Sequence, residues 1–156
     1  MCVAVATCTF EKALSDAKGE FMQNIEYLNP SELPAYGYTN VVVVPGGLKT
    51  VYIGGQDAVN AKGEIVGIGD MEAQTRQTLH NMEIALAAGG AKPEHVIKWN
   101  VHIVQGHDFA PGFRAFQAWW GDRPNPPAVT AAVVVGLARP EFLVEIDAIA
   151  VVPDGQ

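Results

Sequence analysis

The sequence predicts an α+β domain, a mixed β-sheet with two helices packed on one of its faces. Three observations predict it. Two stretches, near residues 70–88 and 108–120, carry apolar residues at helical spacing among runs of strand character. The resulting order, β-β-α-β-α-β-β, breaks the strict strand–helix alternation of a parallel fold. The closing run, Pro127 to Val152, is apolar on two sides: Val129, Ala131, Val133 and Val135 line one face of its first strand, Ala132 and Val134 the other. Two helices cover one sheet face, so the second face needs another cover. No third helix is left, and a second copy of the chain in a closed ring is the expected one.

Taken in order, residues 1–24 show no clear period and are read as an N-terminal extension, leaving 25–156 as a single domain. Asn29-Pro30 and Leu33-Pro34 mark a loop. Tyr38 to Val44 reads as a strand stopped by Pro45-Gly46-Gly47, and Leu48 to Ile53 as the returning one. Gly54-Gly55 at its end signals either a turn or close approach of another group to the backbone. Asp70 caps the first helix, with Glu72 in its first turn and Thr75, Leu79, Met82 and Leu86 as one apolar stripe; Gly89-Gly90 ends it. His80, beside that stripe, is expected at the surface.

His95 to Val104 is a strand with Ile97, Trp99, Val101 and Ile103 on one face and Lys98, Asn100 and His102 on the other. The second helix runs from the cap Asp108 to Trp120, with Phe109, Phe113, Phe116 and Trp120 as an aromatic stripe assigned to the core. After the proline-rich loop at 122–127, two long strands close the chain as a hairpin turned through Gly136 to Pro140.

Composition narrows the function. A net charge of −7 with only 10 Lys and Arg argues against a phosphate-backbone partner. No apolar run reaches the length of a membrane span, and the first residues lack the basic start of a signal peptide. Cys2 and Cys8 make no disulfide framework, which suits a reducing, cytoplasmic setting. No zinc spacing, phosphate loop or dinucleotide fingerprint is present, so neither metal nor cofactor is expected.

Chemistry is expected on the final strand. In VEIDAIAVV, Glu145 and Asp147 project from one face with Cα atoms roughly 6.5 Å apart. Carboxylates there are costly unless they are paired or used. With Asn100, His102 and Thr130 they are expected to border a cleft between subunits. An apolar cleft and the like charge of Asp147 would raise the Glu145 pKa, giving a group that donates and then accepts a proton.

The stretch NPPAVTAAVVVGLARPEFLVEIDAIAVV resembles the closing signature of the RidA/YjgF (endoribonuclease L-PSP) family. The resemblance runs upstream through Tyr38-Thr39-Asn40-Val41, Ile53-Gly54-Gly55-Gln56, Gln74-Thr75-Arg76-Gln77 and Phe116-Gln117-Ala118-Trp119-Trp120, covering about residues 25–152. It implies a chorismate-mutase-like subunit in a homotrimer with three interface clefts. It also implies hydrolysis of reactive enamines and imines to keto acids and ammonia. In the family pattern an arginine after Pro-Ala grips the substrate carboxylate as a fork. Here Val129 follows Pro127-Ala128, so that fork is missing. The water-positioning glutamate matches Glu145, the tyrosine Tyr38 and the backbone glycine Gly55. Glu145 is thus the expected catalytic group, and Tyr38, Gly55, Val129, Thr130, Asn100 and Trp120 the expected contacts of a small-molecule metabolite. A non-catalytic binding or regulatory trimer is the alternative. Ribonuclease activity follows from the older family name alone, and the acidic charge opposes it.

Overall fold

The computed structural model describes residues 25–31 and 39–153. The expected extension at 1–24, with Cys2 and Cys8, and Tyr38 lie outside them. Strands β1 (Glu26–Leu28) and β2 (Val41–Val43) pair antiparallel as a small ribbon. The main sheet is built from β3 (Leu48–Gln56), β4 (Val96–Val104), β5 (Ala128–Val134) and β6 (Val144–Pro153). Helix α1 (Met71–Ala88) lies between β3 and β4, and α2 (Ala110–Trp120) between β4 and β5.

The sheet order is β3-β6-β4-β5. β6 runs antiparallel to both its neighbours, while β4 and β5 are parallel. The expected closing hairpin is therefore corrected: β4 stands between β5 and β6. A parallel pair needs a crossover, and α2 supplies it. Residues 135–143 then carry the chain past β4 to β6. Alternation in a sequence tells which side chains share a face and is silent on which strands are neighbours.

Asp70 caps α1 as its type and place predict, accepting the Ala73 N–H at 3.0 Å. Thr75, Leu79, Met82 and Leu86 are all buried, and His80 is exposed. Burying the three apolar members contributes about 1.5–3 kcal/mol each. Gly90, at φ 75°, takes the left-handed conformation that ends a helix. Gly89 lies so close to β3 that an added Cβ would stand 2.5 Å from a Val51 methyl.

α1 packs on β3 and β6, and α2 packs along α1, so both helices cover one sheet face. Trp99, at the centre of this core, meets Phe116 and Trp119 edge-on at 6.3 and 5.9 Å. The Trp119 indole donates to Glu83 at 2.7 Å and ties the helices together.

Two details depart from the alternation. A register shift between Val96 and Lys98 puts Val96, rather than Ile97, into the core beside Trp99. On α2, Phe116 and Trp120 pack inward as predicted, but Phe109 and Phe113 are exposed. The buried positions of α2 include Gly112, Ala115 and Trp120, because α2 approaches α1 through its smallest residues: a Cβ on Gly112 would fall 2.6 Å from the Thr75 hydroxyl. The helix also begins later than expected. Phe109 occupies the cap position, and Asp108 accepts the Ala110 N–H at 2.9 Å.

Buried Gln74 joins the layers. Its amide donates to the carbonyls of Gly67 and Glu141, at 3.2 and 2.7 Å, and accepts the Leu143 N–H at 2.8 Å. It thereby sets where β6 enters the sheet. Among the described residues, no helix is long and apolar enough to cross a membrane.

Candidate active site on the open sheet face

The registers decide which side chains meet. Asn100 lies opposite Asp147 on β6 and Thr130 on β5; His102 lies opposite Glu145 and Ala132. Directly opposed residues share a face. The five polar residues expected to line a cleft therefore do share one, on the side away from the helices. Asn100 donates to Asp147 at 2.8 Å, and Lys98 donates to the Thr130 hydroxyl. Asp147 and Thr130 thus have partners within the chain.

Glu145 is differently placed. Its carboxyl rests against the backbone of Gly55, where a Cβ would stand 2.7 Å from Cδ and 2.8 Å from Oε1. Only glycine allows this approach. Gly55 is thus explained by close packing, with a register shift between Ile53 and Gln56 opening the place, whereas a Cβ on Gly54 would meet nothing within 4 Å. The His102 Nδ1 stands 3.9 Å from Glu145 Oε1, too far for a hydrogen bond. Nδ1 is buried and has no hydrogen-bond partner in the chain.

The acid that stands in the field of Glu145 and is itself perturbed is Asp57, a residue sequence reasoning missed. Burial first, and the charge of Glu145 second, push its carboxyl up to about 6. Its Oδ1 is buried with no partner in the chain. The backbone around it is held firmly: Asn81 of α1 donates to the carbonyls of Asp57 and Val59, both at 2.8 Å, and Gln77 in turn donates to Asn81 at 2.8 Å. The available signal was an acidic residue two places beyond a glycine that admits close approach.

The other predicted contacts fall elsewhere within one chain. Val129 lies opposite Trp99, so it faces the helix side and packs against the core. Trp120 is buried in the helix layer, its indole N–H donated to the Arg123 carbonyl at 3.0 Å. Neither meets Glu145 in a single chain. Arg139 is exposed and stacks over Phe142, and Arg114 is exposed on α2. A hollow of about 220 Å³ between the helices is lined by Arg76, Leu79, Ala115, Ala118 and Trp119, away from the acids. Among the described residues, no group of three or more His, Cys, Asp or Glu is placed to hold a metal ion. Two acids near one another, one with its carboxyl raised by burial, suit acid–base chemistry on a small polarised bond.

The same fold occurs in solved structures. A protein of the conserved Rid family, YyfB of Yersinia pestis, superposes with a TM-score of 0.72 at 33% identity, covering 81% of this chain and 98% of that one. A RutC family protein of Synechocystis is 32% identical over 121 residues, 77% of this chain and 89% of that protein. The 2-iminobutanoate/2-iminopropanoate deaminase of Escherichia coli is 32% identical over 98 residues, 62% of this chain and 75% of the enzyme. The family model described as endoribonuclease L-PSP matches residues 30–152. The chain belongs to the endoribonuclease L-PSP family, the RidA/YjgF proteins.

Proposed function

We propose that this protein hydrolyses the C=N bond of an imine, or its enamine tautomer, to a carbonyl compound and ammonia, with Glu145 as the acid–base group. The substrate is less anionic than a 2-imino acid. The observation that carries this reading is the position of Glu145, packed against the Gly55 backbone where an added Cβ would stand 2.7 Å from its carboxyl carbon, and 3.9 Å from His102 Nδ1, on a sheet face that one chain leaves open. Water addition to a C=N carbon needs a base for the water proton and a proton for nitrogen. Glu145 is assigned the first. Two further features support the substrate class. No Lys or Arg pairs with Glu145 or Asp57 among the described residues, so neither brings a cation to hold a carboxylate, and Val129 stands where the family pattern has arginine.

The working unit in this proposal is a cytoplasmic homotrimer of the 25–156 domain, with a cleft at each seam. Tyr52, Val133 and Val135 are 78, 70 and 83% exposed in the single chain, apolar surface that a neighbouring copy would cover. The neighbour would bring Val129 and Thr130 of one chain toward Glu145 of another, with Tyr38 and Asn100 as further contacts.

The test supplies freshly generated imines and follows capture by semicarbazide and release of ammonia. Neutral imines and simple enamines are expected to turn over above the buffer rate and 2-iminopropanoate is not. Val129→Arg is expected to bring in 2-iminopropanoate hydrolysis. No rate above buffer with any of these, alongside saturable binding of the same compounds, would replace catalysis by a binding role.

A further inference from the structure

We infer that Asp57 is a second catalytic group of this site, the proton donor that works opposite Glu145. The inference rests on the hydrolytic reading above and assigns the half of the proton transfer which that reading leaves open.

Three structural facts converge. The Asp57 Oδ1 is buried and unpartnered, although its own backbone carbonyl is fully engaged by Asn81 at 2.8 Å. A buried carboxyl oxygen without a partner is costly, and a carboxylic acid awaiting an acceptor removes much of that cost. Second, Gln56 lies opposite Ile146 in the antiparallel β3–β6 register, so Asp57, one residue on, comes alongside Glu145, and Gly55 lets the Glu145 carboxyl in against the backbone. Third, among the described residues no Lys or Arg pairs with either acid. From β6 comes Glu145 and from β4 the His102 imidazole, while α1 turns the amides of Asn81 and Gln77 toward the loop. Lys98 and Asp147 are engaged by Thr130 and Asn100. Desolvation raises Asp57, and the neighbouring Glu145 raises it further, so Asp57 keeps its proton up to about pH 6.

The proton ledger closes over one turnover. Water oxygen bonds to the C=N carbon; Glu145 takes a water proton, and protonated Asp57 gives its proton to nitrogen as the C=N π bond breaks. The carbinolamine then collapses. Glu145 returns its proton to the amine nitrogen, the C–N bond breaks with its electron pair leaving as ammonia, and Asp57 takes the hydroxyl proton as C=O forms. Both acids end as they began, and one imine and one water have become one carbonyl and one ammonia.

The test compares Asp57→Asn with Glu145→Gln and wild type in the full-length protein, using the neutral imine assay across pH 4.5 to 8.5. Asp57→Asn is expected to lose on the order of 10²-fold in kcat, and to lose the fall in rate that wild type shows as pH rises through about 6. A variant that keeps the wild-type rate and profile while Glu145→Gln is inactive overturns the assignment and leaves the hydrolytic reading standing. Carbon-13 NMR of the labelled Asp57 carboxyl gives a second readout that needs no turnover. Its titration midpoint is expected near 6 and is expected to fall in Glu145→Gln. An ordinary midpoint that ignores Glu145→Gln would overturn the pairing.

Discussion

At the scale of single residues, the site depends on a glycine as much as on its acids. Gly55→Ala would put a methyl group 2.7 Å from the Glu145 carboxyl carbon. Gly55 has no positive φ, so the backbone accepts alanine, and the clash falls on the carboxyl. The expected outcome is at least a tenfold loss of hydrolysis with a thermal midpoint within a few degrees of wild type, read by kinetics and calorimetry together. Asp57 gives a pH signature. Its folded-state pKa, about 6, lies above the ordinary 3.8, so the fold binds this proton more tightly than the unfolded chain. That contribution is fully present below about pH 4 and is lost as pH rises through about 6. Asp57→Asn should therefore leave stability unchanged near pH 3.5 and raise it above pH 6.5. Discounted for the group's partial exposure, the gain is about 1 kcal/mol, or roughly 2–4 °C. Differential scanning calorimetry at the two pH values checks it. Glu145, Asn100, His102, Thr130 and Asp147 were legible in the sequence because strand alternation alone puts them on common faces. Asp57 was not, because it lies beyond the end of β3 and its meeting with Glu145 depends on a register shift that no local pattern encodes.

At the scale of elements, α1 was readable almost to the residue. Its cap, its stripe and its terminal glycines are local signals, and each is met. α2 was read less well because its contact with α1 is made by Gly112 and Ala115, residues that an apolar-stripe search passes over in favour of Phe109 and Phe113. β4, β5 and β6 were each found, but their neighbours were not. Pairing is decided by the α2 crossover and by Gln74, which anchors the entry to β6 from the helix layer. Gln74→Ala would leave the Gly67 and Glu141 carbonyls and the Leu143 N–H without this partner. A cost of about 2–4 kcal/mol is expected. Asp70→Ala, which removes one cap bond, should cost about 1 kcal/mol. Urea unfolding of the two variants tests the order; equal costs would contradict the anchoring role given to Gln74.

At the scale of the whole molecule, one face of the sheet carries two helices and the other carries the acids and the exposed Tyr52, while Val133, opposite Ile103, and Val135 stand exposed on the helix side at the far end of β5. The predicted solution species is three chains, and analytical ultracentrifugation should give three times the 16.6 kDa chain mass. Val133→Lys with Val135→Lys, at two of the most exposed apolar positions, should lower that mass and the hydrolytic rate together. That two helices leave one sheet face open was legible from strand alternation and the number of predicted helices; the second copy expected to cover it belongs to the proposal. Which side chains would cross a seam between copies was not, because Val129 and Trp120 lie on the helix side of their own chain. Catalysis by this molecule stands or falls with Glu145. The direct measurement is the initial rate of ammonia release from a neutral imine at pH 6 by wild type and Glu145→Gln at equal assembled concentration. The predicted result is a wild-type rate clearly above buffer and a loss on the order of 10²-fold or more in the variant. A variant as fast as wild type would contradict it.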